Sequence, residues 1–197
     1  GWYYHPEQDD KVKTLSQLVD IYFNSVGRNS NFLLNLPIDT RGLVHENDEA
    51  QLKKLAIYLS KMYETDFADS AKIKASVSRQ GYAADLIHDT NKHSYWAAPE
   101  GVNTAQIELE WTSPQEVNTF MVQEYIPLGQ RIKSFTFEVK TEEGWQTLET
   151  GATVGNKRLI RFNTPPITAL RFSIIDSKAS PILSNLGVYK APKLPTE

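Results

Sequence analysis

Three carboxylates, Glu7, Asp9 and Asp10, stand a few residues after the aromatic run Trp2-Tyr3-Tyr4-His5. A carboxylate pair ~5 Å apart, one nucleophile and one acid/base, is what retaining glycoside hydrolysis requires. The plainer reading, and the favoured one, is a solvated acidic loop ahead of a helix. The chain has no cysteine, which removes disulfides, thiolate metal sites and a cysteine nucleophile. Tyr82, Tyr95, Trp96 and Trp145 could stack on pyranose faces if loops exposed them. Trp96 and Trp145 stand in strand-like contexts, however, and are expected in the core.

The 197 residues are 40% hydrophobic and 11% aromatic, enough for a sandwich plus a smaller helical piece. The formal charge of -3 is made of scattered charges of both signs. That pattern argues against nucleic-acid and membrane-surface partners. No apolar run approaches the ~20 residues of a transmembrane helix. The start, Gly1-Trp2-Tyr3-Tyr4-His5-Pro6, has no initiator Met, basic n-region or apolar h-region, and reads as processed or as a piece of something longer.

Two periodicities divide the elements that must position these residues. From Thr14 to Val26, Leu15, Leu18, Val19, Tyr22, Phe23 and Val26 fall at helical spacing, with Thr14 and Gln17 as a capping box and Gly27 as the stop. The run Phe32–Leu36, closed by Pro37, predicts a strand buried on both faces. A second helix is expected from Asp48, capped with Gln51, burying Leu52, Leu55, Ala56, Leu59, Met62 and Tyr63. One strand and two helices form an α/β unit with nothing to pair against.

After Thr65 the period becomes two. Strands are expected at 72–77, 105–111, 117–125, 133–140, 145–148, 157–163, 169–175 and 183–189, separated by turn residues such as Glu143-Gly144 and Gly155-Asn156. Short strands with frequent turns and no intervening helix indicate an antiparallel sandwich or jelly roll. The boundary falls near 66–70, and the tail from Ala191 to Glu197, with two prolines, is expected to fray.

Several strings carry a family resemblance. Gly1-Trp2-Tyr3-Tyr4-His5, Tyr22-Phe23-Asn24-Ser25-Val26-Gly27-Arg28-Asn29, Leu33-Leu34-Asn35-Leu36-Pro37 and Arg41-Gly42-Leu43-Val44-His45-Glu46-Asn47-Asp48 resemble, in this order, the end of the catalytic barrel of glycoside hydrolase family 29, the α-L-fucosidases. Gln123-Glu124-Tyr125-Ile126-Pro127-Leu128-Gly129-Gln130-Arg131, Asp89-Thr90-Asn91-Lys92-His93-Ser94-Tyr95-Trp96 and Leu183-Ser184-Asn185-Leu186-Gly187 resemble the discoidin-like, galactose-binding-like (F5/8 type C) sandwich that often follows it. The implied fold is an α+β fragment: the last helix–strand–helix of a (β/α)8 barrel in residues 1–65, then a discoidin-like antiparallel β-sandwich in residues 66–197. A whole barrel needs ~250 residues.

The resemblance implies the C-terminal portion of a bacterial retaining exo-α-L-fucosidase, periplasmic or secreted, hydrolysing terminal α-L-fucosyl linkages of glycans. The string at 25–29 is more similar to the subgroup that favours α1,3/1,4 linkages. Its implied partners are a fucosylated oligosaccharide or glycan and the remainder of the catalytic barrel. The nucleophile and acid/base would lie outside this chain, which is therefore expected to be inactive alone. Trp2 is implied as a wall of the fucose pocket, its indole covering the apolar edge of a 6-deoxy sugar. His5 would stand at the pocket mouth, while Asn35, Arg28 and Asn29 read as structural. No cofactor is required. A structural calcium is implied at Asp89, Asn91, Ser94 and Asn185, oxygen donors as that ion prefers. The alternative is a non-catalytic carbohydrate-binding or adhesion module of the discoidin type.

Overall fold

The computed structural model describes residues 2–89 and 91–195. Helix α1 (Leu15–Ser25) opens on Thr14, whose side chain accepts the Gln17 N–H while the Gln17 side chain accepts the Thr14 N–H, so the expected capping box forms. Helix α2 (Glu46–Met62) begins earlier than the sequence suggested. His45 is its N-cap, with Nδ1 accepting the Asn47 N–H at 3.3 Å. The acids Glu46, Asp48 and Glu49 fill its first turn, where they complement the helix dipole. Its buried face is Leu55, Tyr58 and Met62 rather than the full expected stripe, and Ala56 is exposed.

The run Phe32–Leu36 is not a strand. Phe32, Leu34 and Leu36 are half-buried, while Leu33 is 89% exposed and Asn35 is exposed. The alternation of a strand is present, but among the described residues no strand pairs with this run.

Among the described residues, nine strands form two antiparallel sheets. They are β1 (Lys72–Ala75), β2 (Trp96–Ala97), β3 (Ala105–Gln115), β4 (Thr119–Glu124), β5 (Ile132–Thr141), β6 (Gly144–Gly151), β7 (Arg158–Arg161), β8 (Ile167–Ser177) and β9 (Ile182–Tyr189). One sheet runs β1-β3-β8-β5-β6, the other β2-β9-β4-β7. All eight expected strands are present; the two-residue β2 is too short to carry a period. Alternation puts Ile107, Leu109 and Trp111 of β3, Phe135, Phe137 and Val139 of β5, and Phe172 of β8 between the sheets. There Phe120 of β4 stacks on Phe137 with centroids 4.8 Å apart.

A second apolar cluster joins the helices to the sandwich. Leu18, Val19 and Phe23 of α1 and Leu55, Tyr58 and Met62 of α2 pack with Met121, Leu159, Tyr189 and Ala191 on the outer face of the four-stranded sheet. Gly27 permits this approach, since a Cβ there would lie 2.4 Å from the Phe23 carbonyl oxygen and 2.9 Å from Leu159 Cβ. It serves as a close-packing glycine as much as a helix stop. The Gly27 carbonyl accepts the Leu159 N–H at 2.9 Å, and the Asn29 N–H donates to the Lys157 carbonyl at 3.0 Å. Ala191, expected in a frayed tail, is buried, and its N–H donates to Asn118 Oδ1 at 2.7 Å. Residues 196–197 of that tail lie outside the described residues.

Candidate functional site

The acidic loop is committed to structure. Asp9 accepts the Tyr4 hydroxyl at 3.0 Å and faces His45 Nε2 at 3.3 Å, while its carbonyl accepts Asn47 Nδ2 at 2.7 Å. The loop is thereby tied to the start of α2. Loss of hydration, followed by the Asp9 carboxylate, raises the Tyr4 hydroxyl above its ordinary pKa. Glu7 is exposed and lies 3.6 Å from His5 Nδ1. Residues Pro6–Lys11 form a 3-10 helix rather than a free solvated loop: Glu7 and Asp10 are exposed, but Asp9 is half-buried and bonded into the fold.

Trp2 is 77% exposed, and its carbonyl accepts Asn35 Nδ2 at 3.4 Å. The backbone at Trp2 is thereby tied to the extended run at Asn35. His5 and Asn35 line a cleft of about 220 Å³ with Tyr3, Tyr4, Asp9 and Gln51. The side-chain oxygen of Gln51 is buried there without a hydrogen-bond partner.

Asp89, Asn91 and Asn185 converge on another cleft, of about 430 Å³, together with Asp66, Asp69 and Lys92; Ser94 is not in its lining. Asp89 Oδ1 accepts the Asn91 N–H at 2.9 Å, and Asn91 Oδ1 accepts the His93 N–H at 3.0 Å, two successive side-chain turns. Thr90, in the family string, lies outside the described residues. Asp66 is engaged by the Ala68 and Val188 N–H groups at 3.0 and 2.8 Å, and Asp69 by His88.

The aromatic candidates separate. Trp96 is fully buried, its Nε1 donating to the Val77 carbonyl and to Ser78 Oγ at 3.0 Å. Trp145 is not a core residue: it is half-buried on the outer face of the five-stranded sheet, with the Arg171 guanidinium 3.8 Å above its ring. An edge strand in β context exposes one face, and alternation alone does not say which. Tyr82 and Tyr95 stack at 4.8 Å, and Tyr95 stacks on Tyr125 at 4.5 Å. A hydrogen bond with Tyr82 raises the Tyr95 hydroxyl.

Two residues carry roles that sequence reasoning missed. Tyr125 completes the tyrosine stack. Glu124, only 2% exposed, accepts the N–H groups of Arg131, Ile132 and Gly155 at 2.6, 2.9 and 2.7 Å. An acid breaking the apolar alternation of β4 was the available signal.

A discoidin-type sandwich carrying the helices of an α/β unit on its outer face is the architecture these elements define. The chain belongs to the F5/8 type C domain family, whose model matches residues 72–184, and residues 1–64 match the alpha-L-fucosidase family model. Together the matches correspond to the C-terminal part of a glycoside hydrolase family 29 fucosidase. Alpha-L-fucosidase 1 of Arabidopsis thaliana is 36% identical over 197 residues, covering 96% of this chain and 38% of that protein. The crystal structure of SpGH29 superposes with a TM-score of 0.91 at 35% identity, covering 98% of this chain and 42% of that one. A Ruminococcus gnavus GH29 fucosidase in complex with fucose gives 0.89 at 28% identity, over 98% and 40%. This chain thus spans about two fifths of the length of these relatives.

Proposed function

We infer that the chain is the C-terminal portion of a retaining exo-α-L-fucosidase acting on terminal α-L-fucosyl linkages of glycans, with α1,3/1,4 linkages preferred. Its partners are a fucosylated oligosaccharide and the remainder of the catalytic barrel, which carries the catalytic carboxylates. In this reading Trp2 is one wall of the sugar pocket, and His5 stands at its mouth. The supporting observation is that Trp2 and Leu33, two large apolar side chains of the segment that matches the fucosidase family model, are 77% and 89% exposed. Exposed large apolar side chains in this segment are what an adjoining barrel strand would cover. A free-standing adhesion module has no use for them, and the apolar cluster shared by helices and sandwich argues against a detachable sandwich.

Residues 1–65 are the barrel end and 66–197 the sandwich. The location is periplasmic or secreted, where glycan polymers are met, and cell fractionation tests it. The cleft of Asp89, Asn91 and Asn185, with Ser94 nearby in the same loop, is the place for a structural calcium. Its donors are the oxygens that ion takes, although Lys92 weakens the field. A calcium-dependent rise in melting temperature, reversed by chelator, tests that assignment; no shift refutes it. The fucosidase reading is tested with an aryl α-L-fucoside. The complete polypeptide should hydrolyse it with retention, and the 197-residue chain alone should not. Turnover by this chain alone, or an upstream sequence without a barrel, would overturn the reading.

A further inference from the structure

Trp2 is 77% exposed, so packing within this chain does not orient its indole. Its place follows from the backbone that carries it. The Asn35 Nδ2 bond to the Trp2 carbonyl is long, at 3.4 Å, and the firmer anchor is Tyr4. Two residues of chain span at most about 7 Å, so fixing Tyr4 holds Trp2 within a short radius. The Tyr4 hydroxyl donates to Asp9 Oδ2 at 3.0 Å, and His45 Nε2 lies 3.3 Å from the same oxygen. His45 Nδ1 already accepts the Asn47 N–H at 3.3 Å, so the proton of the ring sits on Nε2 and is given to Asp9. Glu46 Oε2, 3.6 Å from Nε2, is beyond hydrogen-bond range. The Tyr4 ring also stacks on the His45 ring, with centroids 6.3 Å apart.

Asp9 is the hub of this anchor. Its carboxylate is half-buried and takes both donors on one oxygen, and an ionised acceptor strengthens each bond. Its carbonyl accepts Asn47 Nδ2 at 2.7 Å. The 3-10 turn Pro6–Lys11 is therefore bonded to the start of α2 through both side chain and backbone. Helix α2 is in turn seated on the sandwich through Leu55, Tyr58 and Met62. The segment that carries Trp2 is thus referenced to a packed helix, which holds a side chain more closely than a free loop does. Tyr4, Asp9 and His45 all belong to the stretch that matches the fucosidase family model.

We propose that Asp9, acting with Tyr4 and His45, is a positioning residue for Trp2 and sets where the indole stands against the sugar. The proposal rests on the reading of Trp2 as a pocket wall. An indole covering the apolar edge of a sugar touches ground state and transition state alike, so displacing it raises KM and leaves kcat in place. A merely structural loss lowers the folded fraction, and with it the apparent kcat, at unchanged KM. Kinetics are measured on the complete polypeptide with an aryl α-L-fucoside. Tyr4→Phe keeps the ring on His45 and removes the hydroxyl; it and Asp9→Asn should each raise KM about threefold or more, with kcat held within about twofold. In a Trp2→Ala background neither should raise KM further. If Trp2→Ala alone leaves KM unchanged, the pocket-wall reading fails and the proposal with it. If Trp2→Ala raises KM and neither of the other variants does, the reading stands and the proposal is overturned. A fall in kcat at constant KM, or a KM effect that persists without Trp2, overturns it as well. Should one variant fail to fold, the other decides.

Discussion

Asn29 Oδ1 accepts the Asn156 N–H at 2.6 Å, joining residues 127 positions apart and locking the end of α1 to the turn before β7. Asn29 holds a left-handed backbone, φ 65, which asparagine tolerates better than most residues. Gly155, at φ +69, lies under it: a Cβ there would be 2.3 Å from the Asn29 side chain. Gly155→Ala should therefore destabilise the chain by about 1–3 kcal/mol, combining overpacking and a disfavoured φ. Chemical denaturation measures it. Asn29→Gly in the same background should recover part of the loss, because it removes the clash.

Glu124 holds three backbone donors from two loops. Glu124→Gln turns one acceptor into a donor facing an N–H, and about 2 kcal/mol of stability should go with it. Amide exchange should quicken at Arg131, Ile132 and Gly155 before it does in the sheets. Unchanged protection at those three amides would sink the assignment.

Arg41 links Asp39 and Glu46 across the turn leading into α2, at 2.6 and 2.9 Å. Its hydrogen bond is the main reason that the Glu46 carboxyl falls to about 2, and Asp39 is lowered by the same guanidinium. A depressed folded pKa stabilises above the unfolded value and is lost as pH falls through the folded one. The melting-temperature difference between wild type and Arg41→Met should hold at neutral pH, start shrinking below about 4.3, the ordinary glutamate value, and vanish only below about pH 2.

Lys157 is desolvated beside the Tyr63 ring, 5.8 Å from its centroid, and burial pushes its amine below the ordinary lysine value. Lys157→Met keeps the apolar stem and removes a poorly hydrated charge. Its melting temperature at pH 7 should match or exceed that of wild type, and the advantage should fade as the pH rises past about 10.4, the ordinary lysine value, above which the amine is neutral in both folded and unfolded chains.

Trp2 is so exposed that Trp2→Ala should leave the melting temperature of this chain within about 1 °C, a surface-size effect. In the complete polypeptide the same change should raise KM for an aryl fucoside, in keeping with a pocket wall. A stability loss in the isolated chain would instead mark Trp2 as a packing residue.

Alternation and turn chemistry were enough to place the strands of the sandwich, and the Thr14–Gln17 box with the apolar stripe of 15–26 was enough for α1. These features depend on neighbours within a few residues, so the chain encodes them locally. The resemblance strings likewise pointed to both family matches. Other features depended on distant partners. Phe32–Leu36 has the composition of a buried strand, yet strand state needs a ladder, and no strand among the described residues pairs with it. Trp145 reads as core until the register of β5 and β6 and the reach of Arg171 leave it on the outer face. Asp89, Asn91 and Asn185 are joined only because β9 passes the loop ahead of β2, and Arg79 and Arg131, 52 positions apart, meet only where four loops close one end of the sandwich. Local pattern determined the elements. Long-range pairing and burial decided which faces they cover, because a side chain's environment is set by whatever packs against it.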